Sequence, residues 1–216
     1  MEHATKNPSG ATSNPARTSY YKLQGKSQSE KRENEMKKIA QICFITLVAA
    51  SAILAANNPM VGGHEMFPFK NIVQNALNSE DHTTLVAAVK AAGLVDTLEG
   101  PGPFTVFAPT NEAFAKLPAG TVDTLLMTEN KATLTKILTY HVVSGKMDSK
   151  EIAMAIKAGN GKAELNTVSG GKLWASMKGK DLVLTDEKGD MAKVTISNVF
   201  QSNGVIHVID TVLLPN

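Results

Sequence analysis

Apolar residues recur at helical spacing through much of residues 69–157 and then give way to short alternating runs. The spacing over Phe69 to Leu77 and Thr83 to Ala92 predicts two helices, with Asp81 as a cap and Gly93 as the stop of the second. Thr121 to Met127 predicts a third. Asn130 can cap a fourth, in which Leu134, Ile137, Leu138 and His141 share one face, and Glu151 to Lys157 predicts a fifth. After Gly159-Asn160-Gly161 the pattern shifts to β-like runs at Lys172 to Met177, Asp181 to Thr185 and Val194 to Phe200, separated by Gly, Lys and Asp turns. Helices followed by strands indicate an α+β fold.

Two apolar segments stand apart from this pattern. Phe104, Thr105, Val106, Phe107 and Ala108 follow the breaker Gly100-Pro101-Gly102-Pro103, as expected of a strand buried on both faces. Pro109 ends the run. Thr110 has N-cap chemistry, Glu112 lies in the first turn, and Ala113, Phe114 and Leu117 supply an apolar stripe. Near the C-terminus, Asn203-Gly204 signals a tight turn before Val205, Ile206, His207 and Val208, then Ile209, Asp210 and the aliphatic run Thr211 to Leu214. This second segment reads as a buried hairpin strand.

The N-terminal third has another character. Met36-Lys37-Lys38 followed by the apolar run Ile39 to Ala56 has the layout of a secretory signal, with Ala50-Ser51-Ala52 as one cleavage site. The alternative is an uncleaved anchor, since 18 residues just reach spanning length. Residues 1–35 are polar and aperiodic. They read as an upstream extension preceding the natural start at Met36, where Lys31-Arg32-Glu33 can be encoded by a bacterial ribosome-binding sequence, or as a disordered tail. Residues 57–68 read as a linker and 69–216 as one domain, expected to be exported to the periplasm, the medium or the cell surface.

Charge follows the same division. Residues 1–56 carry eight Lys or Arg against four acids, +4; residues 57–216 carry fourteen Lys, no Arg and sixteen acids, −2. The whole-chain +2 therefore hides a mildly acidic domain without the basic footprint of a nucleic-acid binder. Cys43, the sole cysteine, lies in the apolar run, so no disulfide staples the domain. About 160 residues can bury roughly 70% of their unfolded surface, enough for one self-sufficient core.

Candidate chemistry is sparse. His64-Glu65 lacks a second histidine at protease spacing; His82, His141 and His207 are scattered; Ser144 has no nucleophile-elbow context. The glycine pairs read as hairpin turns. No catalytic group, metal or cofactor is expected, and the chain reads as a non-enzyme. His141, on the apolar stripe near a helix C-terminus, reads as a structural histidine with a partly positive ring. His207 reads as buried, with no partner evident from sequence.

The segments Phe104 to Phe114 and Asn203 to Pro215, with Tyr140-His141 between them, resemble the signature elements of the fasciclin-like domain family, and the resemblance spans Phe69 to Pro215. It implies a compact β-sandwich or wedge-like core flanked by short helices. It also implies a role for Tyr140 and His141, with Leu138, Val142 and Val143, because Tyr-His with aliphatic flanks is implicated in integrin recognition in animal members. The position carries over; the partner does not. The expected function is an exported, non-catalytic binding or adhesion module contacting a surface or matrix protein or glycan. The alternative is a secreted or periplasmic carrier of a small apolar ligand such as a pigment, held by a methionine-containing surface with Met147, Met154 and Met177. Membrane contact is expected only through the signal segment, if it is retained.

Overall fold

A computed structural model describes residues 58–216; the upstream tail, the apolar run with Cys43 and the cleavage site lie outside the described residues. The segment expected to be a linker carries structure. Strands β1 (Met60–Val61) and β2 (His64–Glu65) form a small hairpin that buries Val61 and Met66 against the helical layer. The alternation that would reveal such a short hairpin spans too few residues to register as a pattern.

Helix α1 (Ile72–Ala76) begins at a capping box in which Asn71 and Gln74 satisfy each other's backbone N–H groups. Helix α2 (Thr83–Ala92) has the predicted bounds and ends at Gly93, whose φ of 72° allows the left-handed stop. Asp81 does not cap it. It lies in a 3-10 turn, Glu80–His82, that leads directly into the helix. Helix α3 (Val95–Glu99) was not expected and leads to strand β3 (Phe104–Pro109), after which Thr110 caps helix α4 (Asn111–Ala115) by accepting from Ala113 N at 3.2 Å. Helix α5 (Thr121–Leu126) precedes helix α6 (Lys131–Tyr140). Asn130 sits at the start of α6, but its side chain donates to Thr124 O at 2.7 Å instead of capping. Strand β4 (Val142–Ser144) is followed by helix α7 (Ser149–Ala158), whose capping box pairs Asp148 with Glu151.

Strands β5 (Lys162–Asn166), β6 (Lys172–Lys178), β7 (Asp181–Thr185), β8 (Met191–Gln201) and β9 (Gly204–Ile209) complete a seven-stranded sheet of order β4-β3-β9-β8-β7-β6-β5. All pairings are antiparallel except β3 with β9, which run parallel in the register Phe104 opposite Gly204 through Pro109 opposite Ile209. Strand β8 pairs with β7 through one end and β9 through the other. Register shifts between Val194 and Ile196 and between Ile196 and Val199 bend it, and Asn198 takes a φ of 62° there. The two ends of the sheet meet: Val143 bridges Thr167, and Val168 N donates to Val142 O at 2.8 Å. The expected wedge is therefore one sheet bent toward a barrel, and the α+β class holds.

The β3–β9 pair divides the core. Val106, Ala108, Ile206 and Val208 face the helical layer of Leu85, Val89, Leu134 and Leu138. Phe107 and Ile209 face the interior of the bent sheet with Leu173, Ala175, Leu184 and Ala192, closed by Ile152 of α7. Alternation sends successive side chains to opposite sides, and because both sides are packed the two strands read as continuous apolar runs.

Gly204 is demanded by close approach. The β8–β9 turn consists of Ser202 and Asn203, and Gly204 opens β9 without a positive φ. A Cβ there would overlap the Phe104 carbonyl oxygen across the parallel pair. We expect Gly204→Ala to cost about 1–3 kcal/mol by overpacking against backbone that cannot yield. Urea unfolding tests this, and an unchanged midpoint would refute the constraint.

Candidate functional site

Helix α6 delivers Tyr140 and His141 into the structure instead of onto its surface. Tyr140 is fully buried; its hydroxyl donates to Lys172 O at 2.6 Å and accepts from Glu187 N at 3.2 Å. Burial pushes that hydroxyl up to about 12. A Cβ on Gly171 would press on the Tyr140 ring, so that glycine makes room for it.

His141 sits at the C-terminal end of α6 and is 3% exposed. Its Nδ1 lies 2.8 Å from Ile137 O, and its Nε2 accepts from Leu213 N at 3.1 Å. A carbonyl can only accept and an amide N–H can only donate, so the partners fix the proton on Nδ1. Burial pushes the ring down to about 4. This corrects the expected partly positive ring: at the end of this helix, desolvation outweighs the favourable pull of the dipole.

Leu138, Val142 and Val143 are buried as well. The five residues expected to meet a partner thus form a strut joining α6, β4 and the C-terminal segment, and in this conformation none offers its side chain to a partner. Direct contact through them is corrected accordingly. The family resemblance picked out this cluster, and the apolar stripe on which His141 lies does not by itself distinguish a core face from a recognition face.

His207 finds its partner in Met147 O, 2.9 Å from Nε2, and stacks on Phe107 with ring centroids 5.7 Å apart. Thr105 serves the same loop, donating to Gly145 O at 2.7 Å and accepting from Met147 N at 2.9 Å. Asp210 bonds elsewhere, accepting from Lys193 N at 2.8 Å. His82 pairs with Ser79 Oγ at 2.8 Å. Burial lowers the pKa of both His82 and His207. The three scattered histidines have three separate structural duties.

Three polar hubs escaped sequence reasoning. Asn203, expected to be a turn residue opening a signature segment, accepts from Ile72 N at 3.0 Å and donates to Leu98 O and Gly100 O at 2.8 and 3.0 Å, tying α1 and α3 to the β8–β9 turn. Buried Asp186 accepts from Lys188, Asp190 and Leu214 N–H groups at 3.0, 2.9 and 2.9 Å. Glu187 accepts from Lys172 N and Asn216 N, which hold its carboxyl below the usual carboxylate range. Together with His141, Asp186 and Glu187 clasp residues 213–216. In sequence, Asp186 to Asp190 looks like any charged hairpin turn, and nothing there signals burial.

Beside the strut lies an apolar cavity of about 80 Å³, open on one side. Ile72 and Val73 of α1, Leu85 and Val89 of α2, Leu98 of α3, Val106 of β3 and Ile206 of β9 are among its walls, and His141 and Val142 reach it from the strut. Lys90 is the one charged group of the lining, the His141 ring being neutral. None of Met147, Met154 and Met177 lines it. Met147 is half-buried against the sheet interior, while Met154 and Met177 are exposed, so a methionine surface does not form this site.

Among the described residues no helix is long and apolar enough to cross a membrane. The fasciclin domain matches residues 80–215. Protein sll1483 of Synechocystis sp. is 49% identical over 146 residues, covering 67% of this chain and 73% of that protein. The cell surface glycolipoprotein MPB83 of Mycobacterium bovis is 34% identical over 174 residues, covering 74% of this chain and 68% of its own. Among solved structures, the FAS1 domain pair of the insect cell adhesion molecule fasciclin I superposes with a TM-score of 0.60 at 20% identity, over 68% of this chain and 51% of that one. This chain thus spans about half the length of that pair, a likeness of fold. With the signature strands paired in parallel inside the sheet and the match running over most of the described residues, the chain belongs to the fasciclin domain family.

Proposed function

We propose that this chain is a non-catalytic binding module, acting outside the cell or at its surface, whose site is the apolar cavity between the helical layer and the β3–β9 pair. The observation that carries this reading is a wall of aliphatic side chains around an opening that the fold leaves unfilled. Such sites bind by removing apolar ligand surface from water. The volume narrows the ligand. At about 80 Å³ the cavity is smaller than the ~150 Å³ that encloses a benzene ring, so it takes one end of an aliphatic chain and not a whole pigment.

Methyl-resolved NMR of the full chain titrated with 1-octanol tests the proposal. Saturable shifts are expected at Val89, Leu98 and Ile206; Val86, a half-buried residue of α2, also lines the cavity, and Val86→Phe should fill it and abolish the shifts while leaving the circular dichroism unchanged. Octanol shifts that are absent, or unchanged in Val86→Phe, would remove the cavity as the site.

A contact role with a surface or matrix protein or glycan is the second reading. It is supported by the cell-surface description of the mycobacterial relative and by the exposed Phe69, 74% accessible, whose ring lies 5.2 Å from that of Phe67 beneath Lys70. That patch, and not the buried Tyr140-His141 strut, is the surface such a partner could touch.

A further inference from the structure

The cavity carries one further instruction, and the inference from it rests on the apolar-site reading above. Lys90 belongs to α2 and lines the cavity, yet it is exposed, so its methylene stem can cover the wall while the ammonium stays in water. It has no local counter-ion. The positions three and four residues away on either side are Ala87, Val86, Gly93 and Leu94, none of them acidic. Among the described residues it also takes part in no salt bridge; the lysines that do are Lys116, Lys172 and Lys193. Nor is there an acid elsewhere in the lining, where the remaining polar side chains are Thr97, Thr139 and the neutral His141.

We infer that the ligand is a soluble aliphatic monocarboxylate: the chain end enters the cavity and the carboxylate meets Lys90 at its mouth. The two halves of the site make opposite demands. Aliphatic walls reject a charge, so the anion must remain outside. A lone cation at the opening favours an anion over an uncharged or cationic head group of the same length. The chain has to be thin where it enters, because the volume does not enclose a ring.

The test is a matched series of three eight-carbon probes (octanoate, 1-octanol and octylammonium) titrated into the full chain at pH 7.5 and low salt, with the Val89, Leu98 and Ile206 methyl signals as readout. Octanoate is expected to bind about three- to ten-fold more tightly than octanol, the size of one charge-assisted contact at a partly exposed site. Octylammonium should bind most weakly. Lys90→Met should bring octanoate to the level of octanol, and Lys90→Glu should reverse the order in favour of octylammonium. Raising the salt to 1 M should close the gap between octanoate and octanol in the natural chain.

Octanol binding equal to octanoate, or a preference that survives Lys90→Met, would overturn the carboxylate inference and leave the apolar site standing. Failure of all three probes to shift the cavity methyls would overturn the site itself and the inference with it.

Discussion

Replacing His141 by Ala is expected to lower the stability of this protein by about 3–5 kcal/mol, a large share of what a domain of this size possesses. The ring is almost wholly buried, so its removal leaves a void between α6 and the C-terminal segment. It also strips Leu213 N of its acceptor in a place water does not readily reach. His141→Gln, able to reach one of the two partners, should fall between Ala and the natural residue. Urea unfolding of the three proteins measures this. A midpoint shift worth less than about 0.5 kcal/mol for the Ala variant would show that the ring is not a strut.

Acidification should act on the same group without any mutation. An unfolded histidine takes up its proton near pH 6.5, whereas His141 in the fold does so only near 4. Between these values the unfolded chain binds more protons, so the contribution is complete above about pH 6.5 and is lost as the pH falls toward 4. The loss is of order 3 kcal/mol from His141 alone. His82 and His207 are lowered for the same reason, burial, and push in the same direction. The expected result is a urea midpoint that falls steadily between pH 7 and 4.5, while NMR shows the His141 ring still neutral at pH 5. A flat midpoint, or a ring that titrates near 6.5, would contradict this account of the site.

The parts of the fold legible in the sequence were those that speak through local chemistry. Gly93 stops α2 because the left-handed conformation suits glycine, and Thr110 caps α4 because its hydroxyl can reach the third amide. The continuous apolar runs of β3 and β9 announced burial on both faces. Asp81 and Asn130 also had capping chemistry, yet neither side chain is spent that way: Asp81 sits inside a 3-10 turn, and Asn130 reaches back to the preceding helix.

What sequence could not show depends on residues far apart in the chain. Asp186 becomes a hub only because the C-terminal segment returns to it, and Asn203 only because α1 and α3 are brought to the turn. The Tyr140-His141 pair shows the ambiguity most clearly, since a cluster chosen for recognition proved to be an internal brace. The cavity was invisible for a related reason. Its walls come from α1, α2, α3, α6, β3 and β9, each of which reads as an ordinary core-facing element.

The parallel pairing of β3 with β9 joins positions about a hundred residues apart and places the last of the described strands inside the sheet, between β3 and β8. At ordinary synthesis rates of roughly 5–20 residues per second, β3 waits on the order of 5–20 s for its partner to be translated. Throughout that interval the nascent chain has an uncovered apolar strand and cannot close its core. A chain of this topology completes its core only once β9 has been made, so one sent across a membrane during synthesis can stay threadable until that strand appears.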